Sequence, residues 1–145
     1  MATISNILSD KGQQVWTVRP NATALQAAQV MNEHKVGALV VTEEHGHVVG
    51  IFSERDVLRR IVAKSVEPAS VTVGNVMTEE VICIRPEIDL EEARGICMKR
   101  RIRHLPVVDQ SNVLLGMVSI GDLNAYDLTG HKRTIYYLHE YLYGT

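Results

Sequence analysis

Cysteine occurs only twice in this chain of 145 residues, and neither charge sign is in large excess: fifteen lysines and arginines stand against seventeen aspartates and glutamates. Two cysteines cannot staple a small fold; Cys83 on a strand-patterned run and Cys97 on a helix-patterned one read as small buried thiols kept reduced. A net charge of −2 argues against a general binder of nucleic acid or of acidic membranes, which carries a basic excess. No apolar run approaches the roughly 20 residues needed to cross a bilayer. The start, Met1 to Asn6, lacks the basic segment and apolar stretch of a signal peptide, so a soluble, cytoplasmic protein without membrane partners is expected. Also missing are a glycine-rich phosphate loop, a GxGxxG run, a His-Glu-x-x-His motif and any nucleophile, base and orienter set, so an enzyme is not expected. Gly130 to Thr134 resembles the end of a phosphate loop but has no upstream glycine. His45-Gly46-His47 has no cysteine or carboxylate cluster beside it, so it reads as a solvated turn and no metal site is expected.

What the chain does have is a repeat. Shifted by 66 residues without a gap, Arg19-Pro20 falls on Arg85-Pro86, Leu39 to Val41 on Leu105 to Val107, and Gly50 to Asp56 on Gly116 to Asp122. A unit this short cannot bury its own apolar face. The two copies should pack on each other about a pseudo-two-fold axis and leave two related clefts between them.

Each copy reads as strand, helix, strand, strand, helix, an α/β (α+β) pattern of two βαββα units. Val15 to Val18 and Val81 to Ile84 are β-favouring runs closed by Arg-Pro. Thr23 with Gln26, and Asp89 with Glu92, have capping-box spacing ahead of helix-periodic apolar residues. Ala38 to Thr42 with Val48 to Phe52, and Leu105 to Val108 with Val113 to Val118, read as hairpins. Flanking helices are expected at Thr3 to Leu8 and at Thr134 to Leu142, the latter with an apolar stripe of Ile135, Leu138 and Leu142. The expected division is repeat 1 with the N-terminal helix over 1–66, a linker over 67–80, and repeat 2 with the C-terminal helix over 81–145, all in one module.

These residues resemble a tandem pair of CBS domains, often called a Bateman module. The likeness rests on Ile102 to Asp109, on the paired segments Gly50 to Asp56 and Gly116 to Asp122, and on Val76-Met77-Thr78. It spans about Val15 to Tyr126 and leaves no length for an attached enzyme or transporter. It implies a stand-alone sensor that binds an adenosine ligand (AMP, ADP, ATP, NAD or S-adenosylmethionine) in the clefts, with Mg²⁺ accompanying the phosphates. It also implies a homodimer that reports energy or redox state to a protein target the sequence does not identify. The competing expectation is a ligand-free structural or partner-binding dimerisation module.

An adenine nucleotide needs an apolar slot, a carboxylate for its diol and a cationic end for its phosphate. Asp56 and Asp122 are the ribose candidates, against an alternative role as first-turn acids at helix N-termini. Ser53 and Ser119 can either cap those helices or hold phosphate. The copies differ in charge: Arg103-His104 replaces Gly37-Ala38, and Arg55 faces Gly121. By resemblance, Arg103 and His104 are the first candidates for phosphate and Arg55 the second, with Gly37 and Ala38 at the matching place in repeat 1. Val15, Val36, Val81 and Ile102 are candidates for the apolar walls. Unequal clefts are expected from this asymmetry.

Overall fold

A computed structural model describes residues 2–12 and 15–126. The element order is α1 (Ile4–Lys11), β1 (Thr17–Val18), α2 (Ala24–His34), β2 (Ala38–Thr42), β3 (Val48–Ser53), α3 (Glu54–Asp56, continued by a π-helical segment Val57–Val62), α4 (Val73–Val76), α5 (Leu90–Arg100), β4 (His104–Val108), β5 (Leu114–Ser119) and α6 (Ile120–Asn124). The proposed helix at Thr134 to Leu142 lies outside the described residues.

The two repeats fold alike because their local signals match. Thr23 caps α2, its hydroxyl accepting from the Gln26 N–H at 3.1 Å while the Gln26 side chain accepts from the Thr23 N–H at 2.9 Å. Asp89 caps α5 by accepting from the Glu92 N–H at 2.7 Å. Both helices stop on a left-handed residue, Lys35 or Arg101, each at φ 54°. In both hairpins the register shifts at the same place, between Val41 and Thr42 and between Val107 and Val108. Strand β1 runs parallel to β2, and Ile84 makes the matching single parallel bridge to Val107. The two expected leading strands are thus shorter than their β-favouring runs. Val15 and Val81 pack instead in a layer between the repeats with Val40, Val48, Val108 and Cys83.

The hairpin tips meet on the axis. His47 bridges Val113, its own counterpart in the other repeat, and such self-matched contact occurs only where a two-fold passes. Beside it the Asn112 side-chain amide donates to the Val48 carbonyl at 3.2 Å.

The N-terminal helix, expected with repeat 1, packs on repeat 2. Ile4, Ile7 and Leu8 are buried in one cluster with Ile84, Leu90, Leu105 and Leu123. Helix α4, which precedes repeat 2, instead contributes Val73 and Val76 to the core of repeat 1, beside Leu39 and Phe52. Matched hydrogen bonds show that this exchange is reciprocal. The Ile4 and Ser5 N–H groups donate to Ile88 O and Pro86 O at 3.0 and 2.9 Å, and the Val73 and Gly74 N–H groups donate to Ala22 O and Pro20 O at 2.8 and 2.9 Å. An amphipathic helix buries its stripe wherever an apolar groove is open, and here each groove is filled by the helix that precedes the other repeat. Tyr126 and Lys11 fix α1 further: the Tyr126 hydroxyl donates to Asp10, and the Lys11 ammonium donates to Met117 O at 3.0 Å.

Candidate functional site

Seven of the residues proposed from sequence converge between the repeats. Gly37, Ser53, Arg55 and Asp56 come from repeat 1 and Ile102, Arg103 and His104 from repeat 2, and they line one cavity of about 250 Å³. Elements β3 and α3 deliver the first group, and the α5-to-β4 connection with the start of β4 delivers the second. Ile51, Glu54 and Thr78 also line it and were not singled out beforehand. For Thr78 a signal existed, since it ends the family-like segment Val76-Met77-Thr78. For Glu54 none did.

Asp56 is only 4% exposed and both its oxygens are engaged. Oδ2 accepts from the Ser53 N–H at 2.9 Å and from the Ser53 hydroxyl at 3.2 Å. Oδ1 accepts from the Thr78 hydroxyl at 3.0 Å and faces Arg60 Nε at 3.6 Å. A carboxylate offers about four acceptor positions, so this one is filled by its own protein. Ser53 itself caps α3, its hydroxyl accepting from the Asp56 N–H at 3.4 Å. The first-turn role left open for this pair is therefore occupied.

Ser119 and Asp122 form the matching cap in repeat 2. The Ser119 hydroxyl accepts from the Asp122 N–H at 3.1 Å, and Asp122 Oδ2 accepts from the Ser119 N–H at 2.8 Å. The same Oδ2 takes the Lys11 ammonium at 2.7 Å. Lys11 thereby replaces Thr78: its ammonium bonds Met117 O and Asp122, where Thr78 bonds the repeat mates Ile51 O and Asp56. The two carboxylates have unlike partners, Asp56 a hydroxyl and a peripheral guanidinium, Asp122 an ammonium.

His104 begins β4 opposite Ser119 in the register. Burial, and then the Arg103 guanidinium, hold its imidazole below the ordinary value, against the pull of Asp122 and Glu54. It therefore feels carboxylates of both repeats. The Glu54 carboxylate lies over Gly37; a Cβ at Gly37 would come within 2.5 Å of Glu54 Oε1.

The remaining sequence candidates lie elsewhere. Ala38 is 1% exposed inside the sheet and has no accessible surface for a ligand. Val15 and Val81 belong to the layer between the repeats, as packing requires of β-branched residues there. Val36 lines a separate groove of about 520 Å³ between α2 and the π-helical segment. That groove has a counterpart in repeat 2 of about 310 Å³, where Cys97, Met98, Arg101, Ile102, Arg103 and Ile120 take the places of Met31, Asn32, Lys35, Val36, Gly37 and Glu54. Both cysteines are free thiols, in different clusters, and burial pushes each above its ordinary pKa. Among the described residues no three histidine, cysteine, aspartate or glutamate side chains gather to hold a metal, and no helix is long and apolar enough to cross a membrane.

Comparison with known proteins agrees with this architecture. The CBS domain family model matches residues 5–63 and again 73–128. The CBS domain-containing protein YhcV of Bacillus subtilis is 38% identical over 120 residues, which cover 83% of this chain and 84% of that protein. A putative signal-transduction protein with CBS domains from Burkholderia ambifaria superimposes with a TM-score of 0.81 at 32% identity, over 93% of this chain and all of that one. CBSX2, solved in complex with AMP, shares the fold with a TM-score of 0.71 at 24% identity, over 86% of this chain and 94% of that one. Two matched domains, one reciprocal fold and relatives of the same length class lead to one conclusion: the chain belongs to the CBS-domain family and carries its two domains in tandem.

Proposed function

We propose that this protein is a non-catalytic sensor that binds an adenine nucleotide of the AMP, ATP or NAD class between its CBS domains and reports energy or redox state to a protein target by changing conformation. One observation carries the reading: the cavity between the repeats joins an apolar slot, a carboxylate and a cationic end, the three features adenosine phosphates require. The AMP complex of CBSX2, a protein of the same fold, supports the ligand class. In this arrangement the base lies against Ile51 and Ile102, the ribose diol meets Asp56 and Thr78, and the phosphate turns toward Arg55, Arg103 and His104. Any Mg²⁺ would come with the phosphates.

Because Asp56 is already saturated, the diol must displace the Thr78 hydroxyl or Arg60 from Oδ1. Thr78 pairs with Ile51 of β3, and Arg60 also donates to Met77 O. Either exchange loosens the segment after α4 from repeat 1. A ligand with different affinity for the tied and loosened forms shifts the balance between them.

The test is to heat-denature the purified protein, identify released small molecules by mass, and titrate the stripped protein with AMP, ATP and NAD from pH 8 to 6. An adenosine compound should be released. Affinity should rise as pH falls across this range: burial and Arg103 hold the His104 pKa low in the free protein, a bound phosphate raises it, and the complex takes up the proton first. Without ligand the sign is opposite for stability. The folded value lies below the unfolded one of about 6.5, so stability present above that pH is lost as pH falls through it. A pH-independent affinity rejects the role of His104, and absence of any binding heat rejects the sensor. The saturated Asp56 and the Lys11–Asp122 pair favour a second reading, the ligand-free scaffold, which requires that last result.

The proposal includes a homodimer. All four large apolar side chains exposed among the described residues, Leu25, Leu58, Val62 and Met98, lie on α2, the π-helical segment and α5; Leu58 and Val62 are 61% and 63% exposed. A second copy covering the groove that Leu58 and Val62 line removes these two from water. Light scattering should give twice the chain mass, falling to one chain in Leu58→Glu/Val62→Glu; an unchanged dimer mass in that variant places the interface elsewhere.

A further inference from the structure

We infer that the first cleft selects adenosine ligands carrying more than one phosphate, because its cationic end continues into the neighbouring groove and ends at Arg101. This rests on the adenosine reading above and names the ligand class within it. The cleft and the groove share Arg55, Ile102 and Arg103 as walls, and Arg101 lies beyond them in the groove alone. None of these three arginines takes part in either ion pair found among the described residues. Arg55 and Arg103 line both the cleft and the groove, and Arg101 lines the groove, so an anion lying along them is attracted, and each guanidinium can grip a phosphate through two parallel N–H groups. A monophosphate placed from the ribose side reaches the shared rim at Arg55 and Arg103. A second or third phosphate extends past it to Arg101.

The fold does not itself demand this charge. The counterpart groove in repeat 1 is built from matching positions, yet there Lys35 replaces Arg101, Gly37 replaces Arg103, and the acidic Glu54 replaces Ile120. Lys35 keeps a cation at the place of Arg101, but Gly37 and Glu54 leave the repeat 1 groove nearly neutral, so the fold requires neither Arg103 nor a net positive lining. Polarity along the path fixes the direction of the ligand as well. Asp56, only 4% exposed, repels phosphate where it lines the cleft, which leaves the diol there and sends the chain toward the arginines.

The experiment is calorimetric titration of AMP, ADP, ATP and inorganic tripolyphosphate into the full chain, Arg101→Gln and Arg101→Lys. Glutamine meets the same backbone at φ 54° as arginine does, so folding should be unaffected, and thermal melts without ligand verify this. ATP should bind the natural chain at least tenfold more tightly than AMP. Arg101→Gln should lose about tenfold for ATP and less than twofold for AMP, with Arg101→Lys between. Equal affinity for AMP and ATP, or equal weakening of both by Arg101→Gln, overturns the inference. If no nucleotide binds while tripolyphosphate still binds in an Arg101-dependent way, the polyphosphate path stands and the adenosine reading falls. If tripolyphosphate and nucleotides all fail to bind, both fall.

Discussion

Asp56→Ala should lower the unfolding free energy by about 3 to 4 kcal/mol, with a fall in melting temperature on the order of 10 °C. The carboxylate is buried and meets four protein donors, so truncation strands a threonine hydroxyl and a backbone N–H and leaves Arg60 facing no anion. Asp122→Ala should cost only about 1 kcal/mol, because its side chain and that of Lys11 are 26% and 35% exposed and water replaces part of what is lost. Urea denaturation of both variants measures the contrast. A difference below 1 kcal/mol would mean that the Thr78 and Arg60 contacts contribute nothing in solution. The contrast also bears on function, since a residue holding this much of the fold can release a partner to a ligand only if the ligand replaces that partner.

Deleting residues 1–11 should unfold the far half of the chain. Ile4 and Ile7 are 0% exposed, and Ala2 and Leu8 nearly so, all within the core of repeat 2. Each large aliphatic side chain removed from such a core forfeits about 2 to 5 kcal/mol, so losing Ile4, Ile7 and Leu8 together is comparable with the roughly 5 to 15 kcal/mol stability of an ordinary domain. Amide hydrogen exchange should show protection vanishing from α5, β4 and β5 while the repeat 1 hairpin, β2 and β3, loses less. Preferential loss in β1 to β3 would show that α1 belongs to repeat 1. The milder Ile7→Ala should cost about 3 kcal/mol and leave a single cooperative transition.

Much of the fold was legible because its determinants are local. Thr23 with Gln26 starts one helix and Asp89 the other, and two β-favouring runs, Ala38 to Thr42 and Val48 to Phe52, flank a polar turn as in a hairpin. The repeat then placed each element of one half on its mate. The cleft was legible for the same reason: Ser53 to Asp56 and Ile102 to His104 sit at element ends that a two-fold brings together. What stayed hidden depends on partners distant in sequence. The apolar stripe of α1 declares that it needs a groove, and nothing in Ile4, Ile7 or Leu8 says which of two similar grooves it fills. Nor does the side chain of Asp56 announce that Thr78, 22 positions away, will occupy it. Lys11 looks like an ordinary last-turn cation until the exchange carries it to Asp122. Ala38 shows the converse error. Its match to His104 put it at the cleft, but a methyl group at that strand position points into the sheet core while an imidazole is long enough to reach out.

The exposed stretch around Glu67, Ala69 and Ser70 is the covalent tie between the halves, yet it is not what keeps them in register. A protease nick there would sever the polypeptide without freeing either piece, since the amino-terminal fragment still threads α1 into its neighbour and the carboxy-terminal fragment returns α4. The halves would part only after both helices had been withdrawn, as with a pair of clasped hands.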